Sequence, residues 1–235
     1  DFTHVVMEVS SHSLDQYRVS DVDFNIAVFT NLTPEHLDYH GTMRAYHKAK
    51  SRLFKMLNFD STAIINKSDG YGDNISSYSS APTVFFSLNE SNCIHFENLQ
   101  LTIDGIRGKI VTDKYNYIIK SKLIGGFNSE NILAAVSVAH VLGINNDQIE
   151  NGTGKCQLIE GRMETIKLNN HSIVVIDYAH TPDAYEKVFS TLELLKSQNA
   201  KIYTVFGAGG DRDKKKRPKM ARIAEKYSEH CFITP

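Results

Sequence analysis

The chain has 235 residues, of which 41% are hydrophobic, and 26 Lys or Arg against 27 Asp or Glu leave a formal net charge of −1. That length supports one large domain or two small ones, and the balanced charge excludes a broad field for nucleic acid or an anionic membrane. With no membrane-length apolar run, and with Cys93, Cys156 and Cys231 odd in number and outside any CxxC spacing, the expectation is a soluble protein of a reducing cytoplasm.

The sequence opens at DFTHVVMEVSSH, inside an apolar run over 5–9 that reads as a buried strand, and closes at HCFITP on another. It reads as an internal piece of a longer polypeptide. Glu8 ends the first run and is followed by Val9, Ser10 and Ser11. Strands are expected over 26–30 and 63–66 with a helix over 43–57 between them, which predicts an α/β unit with a parallel sheet. Between the second strand and that helix lies NLTPEHLDYHGTMRAYHKAK. His36 and His40 stand four apart, a spacing that invites zinc, but Leu37 occupies the position where HExxH requires Glu. Glu8 and His36, at adjacent strand ends, instead suit one shared hard cation, Mg²⁺ or Mn²⁺ rather than zinc. The bland alternative is a set of polar loop residues capping a helix that starts near Thr42.

From 83 to 123 the pattern shifts to short segments, TVFFSL, CIHFENLQLTI and KIVTDKYNYIIKSKL, broken by Gly105 and Gly108. A small antiparallel sheet is predicted. Helices follow over 128–142 and 146–152. GTGK at 152–155 is a decoy, because the phosphate-loop signature needs Gly where Ile149 stands and Ser or Thr where Cys156 stands. A boundary is placed near Gly161. Beyond it SIVVIDYAH, a helix over 182–195, KIYTVFGAGG, a helix over 218–227 and HCFITP read as β-α-β-α-β, the start of an open doubly wound sheet. Asp177 and His180 fall at the C-terminal end of a strand, where Asp commonly meets a ribose hydroxyl and His a phosphate or reacting group; a structural role is equally open. In GAGGDRDKKKRP, Gly207, Gly209 and Gly210 permit a tight turn and Arg212, Lys214, Lys215, Lys216 and Arg217 bring charge. A carboxylate or phosphate site and a solvated basic loop both fit.

Taken in order, MEVSSHSLDQYRV, FTNLTPEHLDYHGTMRAYHKAK, GGFNSENILAA, EGRME, IDYAHTPDA and FGAGGDRDKKKRP closely resemble the Mur ligase family, over nearly the whole chain. The resemblance implies an α/β fold: a Mur-ligase central domain, with a parallel sheet, helices and a small antiparallel sheet, followed by an incomplete Rossmann-like C-terminal domain. Residues 1–161 would be the C-terminal portion of the central ATP-binding domain, and 162–235 the N-terminal portion of the amino-acid-binding domain.

The implied activity is ATP-dependent: the free carboxylate of UDP-N-acetylmuramoyl-L-alanyl-D-glutamate is phosphorylated, and the amino group of a diamino acid displaces phosphate. ATP and Mg²⁺ are the implied cofactors, the muramoyl dipeptide and the diamino acid the partners, and a monomer is expected. Glu8 and His36 resemble Mg²⁺ ligands. Lys50, in the KAK that matches the family's AAK, resembles the lysine carbamylated by CO₂, which would add a third metal ligand and act in catalysis alongside His180. Ser10, Gln16 and Arg18 resemble substrate-binding positions. Asn131 would lie near the adenine, Arg162 near the phosphates and Asp177 near the ribose, while Arg212 would meet the carboxylate end of the amino acid. The intact GGDRD and nearby KRP look more like the diaminopimelate-adding members than the lysine-adding ones. The family's phosphate loop and UDP-holding domain would lie upstream of Asp1 and its specificity loop beyond Pro235, so the 235 residues alone are expected to be inactive. The alternatives are a folylpolyglutamate synthetase-like ligase, against which HLDYHGTM and DYAHTPD argue, and a non-catalytic remnant.

Overall fold

The computed structural model describes residues 2–156, 158–208 and 216–234. The chain divides into two compact units, Asp1–Cys93 and Ile94–Pro235.

In the first unit, β1 (Ile26–Phe29), β2 (Thr62–Asn66) and β3 (Thr83–Phe86) form a parallel sheet in the order β1-β2-β3. The expectation puts β3 in the antiparallel region, but it pairs in parallel with β2 at the sheet edge, and VFF in TVFF is a continuous apolar run rather than an alternating one. α1 (Ser11–Asp15) and α2 (Leu37–His40) precede α3 (Met43–Lys55), and α4 (Gly72–Ser76) follows β2. Thr42 caps α3, its hydroxyl accepting from Ala45 N at 3.2 Å, a contribution of about 1 kcal/mol. Phe54, Ala63, Ile65 and Ile75 anchor the core, with Phe29 and Tyr46 packed into the same cluster. The expected strand over 5–9 does not form: Val5 is 84% and Val6 96% exposed. A strand exists only where a neighbour completes its hydrogen bonds, and this run has no ladder partner among the described residues.

In the second unit, β4 (His95–Thr102), β5 (Gly105–Val111) and β6 (Asn116–Ser121) make the predicted antiparallel sheet. α5 (Gly126–Val141) and α6 (Asn146–Lys155) follow. β7 (Glu164–Lys167) and β8 (Ile173–Ile176) then form an antiparallel hairpin that sequence reasoning missed. Its turn is marked by NNHS, with His171 in the left-handed region at φ 65°, but ETIK carries a single apolar side chain and gives little periodic signal. α7 (Pro182–Leu195), β9 (Tyr203–Gly207), α8 (Arg217–Tyr227) and β10 (His230–Thr234) complete the unit. β9 and β10 pair in parallel, whereas β8 pairs with β7 and joins no ladder with β9, so the doubly wound reading holds for β9-α8-β10 alone. Thr181 caps α7 through Ala184 N at 3.2 Å with Pro182 in the first turn, and Tyr185, Phe189, Met220 and Ala224 form the core between α7 and α8.

Two stability predictions follow from buried positions. Gly105 has φ 136°, and a Cβ there would lie 2.0 Å from Ser121 O. Gly105→Ala is expected to cost about 2 kcal/mol or more through strain and displaced backbone, read as a fall in the denaturation midpoint; an unchanged midpoint would refute the assignment. His47, on α3, is 9% exposed, lies between Tyr71 and Tyr78 with ring centroids 5.3 and 5.8 Å away, and its Nε2 has no hydrogen-bond partner among the described residues. Burial holds its pKa below the ordinary value of 6.5. The folded state therefore favours neutral imidazole, and the stability this contributes is complete above about pH 6.5 and is lost as pH falls toward the folded pKa. Between about pH 8 and about pH 5, unfolding free energy should fall more steeply in the wild type than in His47→Phe. Parallel curves would show that His47 carries no proton linkage.

Candidate functional site

The loop leaving β1 is the centre of the first set of residues. Asn66, at the end of β2, donates from Nδ2 to Thr30 O at 2.8 Å, and Asp69 Oδ2 accepts from Leu32 N at 2.9 Å while its Oδ1 accepts from Tyr71 N at 2.9 Å. The carbonyl of Asn31 is thereby presented to Lys50, whose Nζ donates to it at 3.3 Å and sits 5.4 Å from the centre of the Tyr46 ring. Burial lowers the Lys50 pKa, opposed by the carboxylates of Glu35, Asp69 and Glu8. An amine so placed is less strongly held as an ammonium than an ordinary lysine.

His36 occupies the left-handed region at φ 57° and ψ 25° as the residue preceding α2, a conformation uncommon for a non-glycine residue. Its Nε2 is 3.9 Å from Glu35 Oε1, and its ring meets His12 edge-on at 4.8 Å and Tyr46 at 5.9 Å. His40 stacks on Tyr46 at 5.2 Å and pairs through Nε2 with Ser11 Oγ at 2.9 Å; burial first, then the neighbouring His12, lowers its pKa. The i, i+4 pair is therefore not one face of a helix, because His36 lies outside α2.

Among the described residues no three His, Cys, Asp or Glu side chains converge as a metal site. Mg²⁺ prefers oxygen ligands. Around Lys50 these are the carboxylates of Glu8, Glu35 and Asp69 and the Asn31 carbonyl. An ammonium at Nζ would repel the cation, whereas a carbamate on the same nitrogen adds two oxygens. Oxygen donors of this kind are the ones Mg²⁺ takes.

Ser10 caps α1, its Oγ accepting from Ser13 N at 3.1 Å and lying 2.8 Å from Ser13 Oγ. Gln16 follows the helix and donates from Nε2 to Tyr39 OH at 3.4 Å, and Arg18 is exposed one residue beyond Tyr17.

In the second unit the EGRME and IDYAHTP motifs come together. Asp177 accepts from Met163 N through Oδ2 at 2.9 Å and from Ala179 N through Oδ1 at 2.8 Å, while Tyr178 N donates to Gly161 O at 2.7 Å. Arg162 is exposed, its guanidinium 5.6 Å from the Tyr178 ring centre. His180 pairs through Nδ1 with Tyr178 O at 3.0 Å, where the carbonyl is the acceptor. Asn131 is exposed on α5 and donates to Asn128 Oδ1 at 3.1 Å, while the buried Asn128 donates to Ile124 O at 2.8 Å. Arg212 lies outside the described residues.

The structure thus gathers Lys50, Glu8 and the loop of His36 in one unit, and Arg162, Asp177 and His180 in the other. Sequence reasoning missed Glu35, Asp69, His12 and Asn128. Glu35, His12 and Asn128 sit inside quoted motifs and Asp69 outside all of them, and only their tertiary partners reveal their part.

Two family models cover most of the chain: the Mur ligase middle domain matches residues 1–139, and the Mur ligase glutamate ligase domain residues 161–234. Among curated relatives, the UDP-N-acetylmuramoyl-L-alanyl-D-glutamate--2,6-diaminopimelate ligase of Geobacter metallireducens is 44% identical over 98% of this chain and 46% of its own length. A solved structure of a protein of that same name superposes with a TM-score of 0.71 at 34% identity, covering 97% of this chain and 47% of the other. An FPGS–AMPPCP–folate complex reaches a TM-score of 0.74, but at 18% identity over 90% of this chain and 51% of the other it shares the fold alone. This chain spans about half the length of the curated relatives it matches. No helix among the described residues is long and apolar enough to cross a membrane. With the middle-domain model alone covering more than half of its residues, the chain belongs to the Mur ligase family.

Proposed function

We propose that this chain supplies part of an ATP-dependent ligase that joins meso-diaminopimelate to UDP-N-acetylmuramoyl-L-alanyl-D-glutamate in cytoplasmic peptidoglycan precursor synthesis, acting as a monomer without a membrane partner. The observation that carries the reading is the half-buried Lys50 under the influence of Glu35, Asp69 and Glu8, sharing the Tyr46 ring as a neighbour with His36. Similarity to ligases named for that acceptor and that amino acid supports the substrates. The domain boundary near Gly161, between residues 1–161 and 162–235, is supported by the start of the second family match.

In this reading the free carboxylate of the dipeptide attacks the γ-phosphorus of ATP and ADP leaves, giving an acyl phosphate. The amine of the incoming amino acid then attacks the carbonyl carbon, loses a proton and expels inorganic phosphate. His180, at the end of the strand that carries Asp177, is assigned a catalytic role at the reacting groups. Lys50 reacts beforehand: its neutral amine adds to CO₂ and sheds a proton, leaving a carbamate anion. Glu8, His36 and that carbamate would hold Mg²⁺, which when bound offsets the negative charge of the transferring phosphoryl group. Asn131, Arg162 and Asp177 bind adenine, phosphates and ribose. Ser10, Gln16 and Arg18 hold the dipeptide, and Arg212 the carboxylate end of diaminopimelate, where a guanidinium fork pairs bidentately.

The Lys50 role is tested by replacement. In the full-length protein, Lys50→Ala should lower kcat by roughly a hundredfold or more, the scale of losing one preorganised electrostatic group, and added formate or acetate should restore part of it. Rescue by methylammonium instead of carboxylate, or full activity in the variant, would reject the carbamate. Substrate choice is tested by comparing kcat/KM for meso-diaminopimelate and L-lysine at equal concentration. Diaminopimelate should be preferred by about a hundredfold, the discrimination expected when groups built to pair with its second carboxylate are left without it. A preference for lysine would reject the assignment.

A further inference from the structure

α1 ends in a turn that its sequence resists. Tyr17 N donates to Leu14 O at 3.3 Å and Arg18 N to Ser13 O at 2.9 Å, the paired bonds of a helix C-terminus whose next residue is left-handed. That residue is Tyr17, at φ 57°, where glycine is usual because a side chain there is strained. The last carbonyls of the helix also lack intrahelical partners.

One side chain answers both problems. Arg52, on α3, donates from Nη1 to Leu14 O at 3.0 Å and to Asp15 O at 3.1 Å, and the same nitrogen lies 3.2 Å from Asp15 Oδ1. Its guanidinium sits 4.9 Å from the centre of the Tyr17 ring. A guanidinium whose one nitrogen reaches two carbonyls and a carboxylate while its plane lies over an aromatic ring is chemistry lysine cannot fully reproduce, because an ammonium has no plane to stack. Gln16 and Arg18 flank Tyr17, so the turn that Arg52 holds sets where both side chains point.

We propose that Arg52 is a positioning residue for the acceptor substrate: it clamps the Tyr17 turn and so presents Gln16 and Arg18 to the muramoyl dipeptide, an inference that rests on the substrate assigned to those residues above. On α3, residues two apart point about 200° from one another. Arg52 therefore acts on the acceptor side, away from Lys50.

The test uses the full-length protein. Arg52→Met should accelerate amide exchange at Tyr17 and Arg18 while leaving β1–β3 protected. It should raise KM for UDP-N-acetylmuramoyl-L-alanyl-D-glutamate about tenfold, the equivalent of one lost charge-assisted hydrogen bond, with kcat and KM for ATP little changed. Arg52→Lys should recover part of both effects. Unchanged exchange and acceptor KM would overturn the proposal. So would a matching fall in kcat with a rise in KM for ATP, which would mark general damage to α3. Should Arg52→Met fail to accumulate folded, Arg52→Gln, which removes the charge and keeps a shorter donor, carries the same test with a smaller shift in the same parameters. If the wild type does not turn over this acceptor, the substrate assignment has failed, and exchange at Tyr17 and Arg18 still decides whether the clamp exists.

Discussion

The path of the chain between Thr30 and Leu32 is the constraint on which the first unit's chemistry depends. Two side chains from the β2 end, Asn66 and Asp69, hold Thr30 O and Leu32 N. Asn66 is buried at 2% exposure, so its amide is satisfied within the protein. The segment between those anchors exposes the Asn31 carbonyl to Lys50. Parallel pairing of β1 with β2, from Ile26 opposite Thr62 to Phe29 opposite Ile65, puts both strand ends at the same level. This is the usual place for ligand chemistry in an α/β sheet.

Left-handed backbone recurs within each unit. Of the described non-glycine residues with positive φ, Tyr17 and His36 lie in the first unit, and Asn98, Met163 and His171 in the second. A left-handed non-glycine residue persists only where surrounding contacts outweigh its cost. Those contacts are visible at three of them: Arg52 over Tyr17, His12 and Tyr46 around His36, and Asp177 accepting from Met163 N. The turns are fixed by long-range partners, which local propensity does not encode.

That distinction explains how much could be read from the sequence. Strands such as Ile26–Phe29 and helices such as Pro182–Leu195 were legible because apolar periodicity, a Thr cap and a first-turn proline are local signals. The antiparallel β4-β5-β6 sheet was legible from alternation. The 5–9 run was misread because apolar composition specifies a preference for pairing without supplying the partner, and β3 because its continuous run was grouped with alternating neighbours. Among candidate site residues, the motifs named Lys50, His36 and Asp177, but nothing local could reveal Asp69, 37 residues from the Leu32 amide it receives, or Arg52, which reaches back 38 residues to Leu14.

Asp177 illustrates why structural and ligand roles need not compete. Its two carboxylate oxygens each accept one backbone N–H, joining the Gly161–Met163 turn to the end of β8. An ionised carboxylate offers about four lone-pair directions, so two remain for a hydroxyl. The backbone donors also hold the carboxylate in one orientation, and a ligand meeting it need not pay to order the side chain. The same reasoning applies to Ser10. Its oxygen caps α1, and the cap fixes its place before any substrate arrives. In both, the bond that secures the fold also removes rotamer freedom from the group proposed to bind.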